Sequence, residues 1–84
     1  MTRQLKIRYF ASIREALGPG ESVQTEAGSL GQLRDELIAR GGAHAEALAR
    51  GKALRVALDQ VMADESLPLH DGAEVAFFPP VTGG

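Results

Sequence analysis

The sequence predicts an α+β fold: a mixed sheet of about five strands packed on one main helix, with short extra helices in the connections. Three observations carry this. Leu5-Lys6-Ile7-Arg8-Tyr9-Phe10 alternates, with Leu5, Ile7 and Tyr9 on one face of a strand. Leu30, Leu33, Leu37 and Ile38 recur at the offsets of a single helical face. Glu74-Val75-Ala76-Phe77-Phe78 reads as a last strand, closed by Pro79-Pro80, which fix φ and remove two backbone donors. The 84 residues suffice for one small domain, and no repeat or linker divides them. Residues 1–78 are expected to form the domain and 79–84 a flexible Gly-Gly tail.

In chain order, Ser12-Ile13-Arg14-Glu15 matches a capping box, with Ser12 as N-cap of a short helix that Gly18 and Pro19 end. Glu21 to Glu26 is a polar alternating segment, expected as an edge strand antiparallel to the first. Ser29-Leu30-Gly31-Gln32 offers a second capping box and opens the amphipathic helix. Arg34, Asp35, Glu36 and Arg40 fill its polar positions and Gly41-Gly42 end it. Ala43 to Arg50 reads as a shorter helix closed by Gly51. Leu54 to Leu58 alternates with Leu54, Val56 and Leu58 inward. Asp59-Gln60 then turns the chain into a short strand around Val61-Met62-Ala63. Asp64, Glu65 and Ser66 form a loop, and Asp71-Gly72 turns into the final strand.

Composition excludes several functions. An apolar fraction of 44% is that of a globular protein. With no cysteine there is no disulfide, no thiolate-held cluster and no cysteine nucleophile. A net charge of −2 gives no electrostatic case for nucleic acid or an anionic membrane. No apolar run has transmembrane length, and Met1 to Gln4 leads into a strand without a signal-peptide core. A cytoplasmic protein is the expectation.

Side-chain chemistry is sparse. His44 and His70 fall in a helix and a loop without ligand spacing, and both read as solvated surface residues. Asp59, Asp64, Glu65 and Asp71 could be paired carboxylates, but all lie in turn-like sequence where aspartate serves local hydrogen bonds. Gly51-Lys52 lacks the upstream glycine and the following Ser/Thr of a phosphate loop. None of Ser12, Ser22, Ser29 and Ser66 has a histidine at a triad-like spacing, and two are explained as caps.

What survives is the tail, Pro79-Pro80-Val81-Thr82-Gly83-Gly84. The prolines hold it extended, and six residues reach roughly 20 Å. Gly83 and Gly84 carry no side chain to obstruct a narrow channel. A carboxylate is inert to nucleophiles until activated. An external enzyme could convert it with ATP to an acyl-adenylate, which sulfide or an amine can then attack. A terminus of no function is the alternative. Val75 and Phe77 share one face of the last strand and Ala76 and Phe78 the other. One phenylalanine therefore belongs to the core, and the other is a candidate docking anchor beside the tail, unless loops cover both.

Asp71 to Gly84 closely resembles the C-terminus of the small subunit of molybdopterin synthase, the MoaD family. Tyr9-Phe10-Ala11 with Arg14-Glu15 and Gly18, and Gly51-Lys52 before a strand, resemble the same family. The resemblance implies a ubiquitin-like β-grasp fold with the first and last strands parallel neighbours. It implies a sulfur carrier whose Gly84 is adenylated by a MoeB-type enzyme and becomes a thiocarboxylate. A MoaE-type large subunit would then receive the tail and pass sulfur to cyclic pyranopterin monophosphate. No cofactor would be held permanently, ATP would act on the activating enzyme, and catalytic side chains would lie on the large subunit. By the family pattern Phe78 and Met62 join Pro79, Pro80, Val81, Thr82 and Gly83 as partner-binding residues. Asp59 departs from the asparagine usual in the family, at a turn where asparagine better tolerates left-handed geometry. A carrier for thiamine or tRNA thiolation, a ubiquitin-like modifier and a plain interaction module are the other readings.

Overall fold

The computed structural model describes residues 2–80. β1 spans Arg3–Tyr9, α1 Ala11–Leu17, β2 Gly20–Thr25 and α2 Leu30–Ile38. α3 follows at Gly42–Ala47, then β3 at Arg55–Leu58, β4 at Val61–Ala63 and β5 at Glu74–Phe78. The strands form one sheet in the order β2-β1-β5-β3-β4. β1 and β5 run parallel, with Ile7 opposite Val75, and every other pairing is antiparallel. This is the β-grasp arrangement the resemblance implies.

Alternation sets the faces. Leu5, Ile7 and Tyr9 of β1 are buried with Val56, Val75 and Phe77 against Leu30, Leu33 and Leu37 of α2. Each such leucine contributes roughly 2 kcal/mol by its removal from water. Ile38, Leu54 and Leu58 pack at the margin, so Leu58 is half-buried rather than fully inward. β2 is the expected polar edge. Its Gly20 lies so close to β1 that a Cβ there would stand 2.3 Å from the carbonyl oxygen of Ile7.

The helix starts divide. At α2, Ser29 caps as expected, its Oγ accepting the Gln32 N–H at 3.2 Å. Gln32 Oε1 reaches one residue past the cap to accept the Gly28 N–H at 2.7 Å. At α1 the expected box at Ser12 does not form. Phe10 is the N-cap and no side chain caps it; its carbonyl accepts the N–H groups of Ile13 and Arg14 at 3.2 and 3.3 Å. The chain turns through left-handed backbone at Ala11, φ 53°, which starts the helix early and leaves Ser12 inside the first turn. α3 is likewise displaced, ending at Ala47 rather than Arg50.

The largest correction concerns Arg34, expected on a polar helix face and found 3% exposed. Its Nε donates to the Leu48 carbonyl at 2.8 Å, and its Nη2 donates to the Ala49 and Lys52 carbonyls at 2.5 and 2.9 Å. It also pairs with Glu65 at 2.6 Å. Arg50 holds the other oxygen of Glu65 and reaches Asp35 at 2.7 Å and the Gly31 carbonyl at 2.9 Å. One guanidinium thereby closes the irregular chain after α3 and ties the β4–β5 loop to α2.

His44 is a second correction. It sits at 2.9 Å from Glu21, which also accepts from the Tyr9 hydroxyl at 2.8 Å and from Arg40 at 2.6 Å. Burial alone would push the Glu21 carboxyl up, but the hydrogen bonds from His44, Arg40 and Tyr9 outweigh it and hold the group at about 2. Burial, with Glu21 as neighbour, pushes the Tyr9 phenol well above its ordinary value. This cluster joins β1, β2 and the helical layer.

Pro79 and Pro80 of the expected tail are described; Val81, Thr82, Gly83 and Gly84 lie outside the described residues.

Candidate docking face at the root of the tail

β5 runs through the centre of the sheet between β1 and β3, and it delivers the chain to Pro79 and Pro80. Strand alternation gives its phenylalanines different environments. Phe77 is 0% exposed in the core, near-parallel to Tyr9 with centroids 6.2 Å apart. Phe78 lies on the outer face, half-buried rather than fully exposed, because Phe10 stacks on it with centroids 4.7 Å apart and planes 9° from parallel. The Phe10 N–H donates to the Phe77 carbonyl at 3.2 Å, which fixes that ring where β1 gives way to α1.

Ala57 and Ala76 face each other across β3 and β5 and are buried despite lying on the outer side. Their small side chains floor a hollow of about 280 Å³, whose walls include Phe10, Phe78, Met62 and Arg8. Met62 stands opposite Ala57 and is 55% exposed; beside it on the edge strand Val61 is 68% exposed. Val61, Met62 and Leu67 also line an open groove along β4. Exposed apolar side chains gathered beside a floor of alanines make this the candidate binding surface of the domain.

The turn under Met62 is built to hold. Asp59 and Gln60 both take left-handed backbone, φ 51° and 70°, the geometry of a two-residue hairpin. Asp59 adopts it because its carboxylate accepts the Glu74 N–H at 3.0 Å and pairs with His70 at 2.6 Å. The Glu74 N–H, then His70, holds the Asp59 carboxyl below its ordinary value; Asp59, then the Asp71 carbonyl, raises the His70 imidazole above its own. His70 is therefore hydrogen-bonded to Asp59 at the surface, not merely solvated. Of the aspartates expected to serve local hydrogen bonds, Asp64 does so, accepting the Ser66 N–H at 2.8 Å. Asp71 instead accepts the N–H of distant Gln4 at 2.7 Å and ties the start of β1 to the turn before β5.

The structure thus brings Phe78, Met62 and Pro79 to one region. Sequence reasoning missed Phe10, whose stacking depends on the Ala11 turn, and the floor of Ala57 and Ala76, where the signal was small residues at outward positions of two strands. Among the described residues, no group of three or more His, Asp or Glu is placed to hold a metal ion. No helix among them is long and apolar enough to cross a membrane. The arrangement offers a rigid mount and an apolar landing surface.

Fold and site together define a ubiquitin-like β-grasp domain with a candidate docking face at the root of its C-terminal strand. The chain belongs to the ThiS family, whose model it matches over residues 7–84. It is 41% identical over 81 residues to the molybdopterin synthase sulfur carrier subunit of Escherichia coli, covering 95% of this chain and 99% of that one. Among solved structures it resembles the complex of subunits 1 and 2 of the molybdopterin-converting factor from Helicobacter pylori. There the identity is 29% and the TM-score 0.64, over 96% of this chain and 99% of the other. It also resembles SAMP1 of Haloferax volcanii, at 25% identity and TM-score 0.70, over 96% and 99% of the two chains.

Proposed function

We propose that this chain is the sulfur-carrier subunit of a molybdopterin synthase, and that Gly84 carries the sulfur. The observation that carries the reading is the apolar face of Phe78, Phe10 and Met62 at the foot of Pro79-Pro80, in a chain so similar to a molybdopterin synthase sulfur carrier subunit. In the first step an activating enzyme of MoeB type binds ATP. An oxygen of the Gly84 carboxylate attacks the α-phosphate and pyrophosphate leaves. Sulfide then attacks the acyl carbon, the bond to AMP breaks and AMP departs, and a thiocarboxylate remains. In the last step a MoaE-type large subunit receives the tail and sulfur passes to cyclic pyranopterin monophosphate.

This chain's part is positional. Phe78 and Met62 seat the partner, Pro79 and Pro80 direct the tail, and Val81, Thr82 and Gly83 pass through the channel. Its own residues supply no acid or base, and it holds no permanent cofactor. A second reading, a ubiquitin-like protein modifier, is favoured by the similarity to SAMP1.

Intact mass spectrometry after co-expression with the activating enzyme and a sulfur source tests the proposal. The expected result is replacement of one oxygen by sulfur at Gly84, with the activated chain forming product when mixed with the large subunit. An unchanged mass under those conditions refutes it, and conjugation to lysines of other proteins supports the modifier instead.

A further inference from the structure

We infer that Arg8 and Arg55 make the docking face selective for an apolar partner surface rimmed by carboxylates, which on the reading above belongs to the large subunit. The chain as a whole is acidic, at −2, yet this side of its sheet is not. Lys6, Arg8 and Arg55 occupy outward positions of β1 and β3, and Glu74 of β5 is the acidic side chain among them. Arg55 stands directly opposite Phe78, at the point where the chain leaves the sheet. It is exposed, and its side chain forms no hydrogen bond or ion pair with any described residue. Arg8, at the wall of the hollow, reaches Glu74 only at 3.8 Å, with its side chain 58% exposed. Nearby acids are already engaged: Asp64 by Ser66, Glu65 by Arg34 and Arg50, Asp59 by His70.

Elsewhere the same chain pairs its arginines closely, Arg34, Arg40 and Arg50 each within 2.7 Å of a carboxylate. Arg8 and Arg55, like Arg14 of α1, have no close carboxylate partner among the described residues, and these two flank the apolar hollow. A guanidinium beside apolar surface loses hydration when that surface is covered, so a covering partner must supply an acceptor or lose affinity. A neutral or basic rim around the same apolar knob is thereby rejected. The pair acts on partner choice and association rate, not on the chemistry at Gly84.

Binding of the large subunit to the full chain, measured by surface plasmon resonance across salt concentrations, tests this. Arg55→Glu is expected to weaken binding about tenfold at low salt and Arg8→Gln about threefold, mostly through the association rate, both effects shrinking as salt rises. Lys52→Glu, the same charge change at an exposed lysine beside α1 and α3, serves as control and should bind as the parent does. Circular dichroism confirms that each variant is folded. If both arginine variants bind within about twofold of the parent, or Lys52→Glu matches Arg55→Glu, the inference is overturned while the carrier function stands. If the parent chain itself does not bind the large subunit, the functional reading fails and takes this inference with it.

Discussion

Replacing Arg34 with methionine keeps most of the apolar stem of the side chain but removes every donor. The Leu48 carbonyl, in the most buried of the contacts, loses its 2.8 Å bond and cannot recover it from water. An unsatisfied buried acceptor costs about 1–3 kcal/mol. The Ala49 and Lys52 carbonyls are partly accessible and recover some hydration, which adds roughly 1 kcal/mol between them. Glu65 keeps Arg50, so its share is small. The sum is about 3 kcal/mol. A domain of this size is stable by roughly 4–13 kcal/mol, so the change removes a large fraction. In urea unfolding followed by circular dichroism, Arg34→Met should lower the midpoint with little change in slope. Heat should show a drop of about 12–24 °C in Tm. Arg34→Lys should recover less than half, because a single ammonium cannot face three carbonyls and a carboxylate in different directions. A loss below about 1 kcal/mol for Arg34→Met, the level of an exposed ion pair, would refute the assignment of a closing role to this residue.

Two further outcomes follow from the same packing. Gly20→Ala should destabilise the domain by about 1–3 kcal/mol in the same unfolding assay, since the new methyl meets backbone that cannot rotate away; a neutral result would mean that β1 and β2 are not so closely apposed. Glu21 contributes to acid stability. Its folded pKa of about 2 lies below the ordinary carboxylate value of 4.5, so its contribution is complete above pH 4.5 and is lost as pH falls from there toward 2. Glu21→Gln should therefore flatten the stability profile between those limits, and a profile parallel to that of the parent would remove Glu21 as the cause.

Much of the fold is legible because its main determinants are local and periodic. Leu5, Ile7 and Tyr9 declare a buried face by alternation alone, and Leu30, Leu33 and Leu37 do so by helical spacing. Ser29 was readable because its cap lies three residues away. Ser12 carries an identical signature but fails, since the left-handed turn at Ala11, held where Phe10 docks on β5, decides where that helix begins. Arg34 was illegible for a related reason. Its acceptors lie 14 to 31 residues further along the chain, and a helical wheel sees only a charge on the polar side. The docking face was half legible. Phe78 follows from alternation with Phe77, but the alanine floor and the Phe10 stack exist only once β1, β5 and β3 are neighbours. Asp59 shows the opposite case: a residue less suited to a left-handed turn than asparagine is kept there by its bonds to Glu74 and His70.

The position of β5 between two strands has a mechanical meaning. A pull on Phe78 along the strand axis loads the ladder to β1 and the ladder to β3 together, as shear across many hydrogen bonds rather than as peeling of one bond at a time. An edge strand such as β2 would unzip under the same load. A load applied at Phe78 is therefore shared by two ladders before β5 can part from the body to which it belongs.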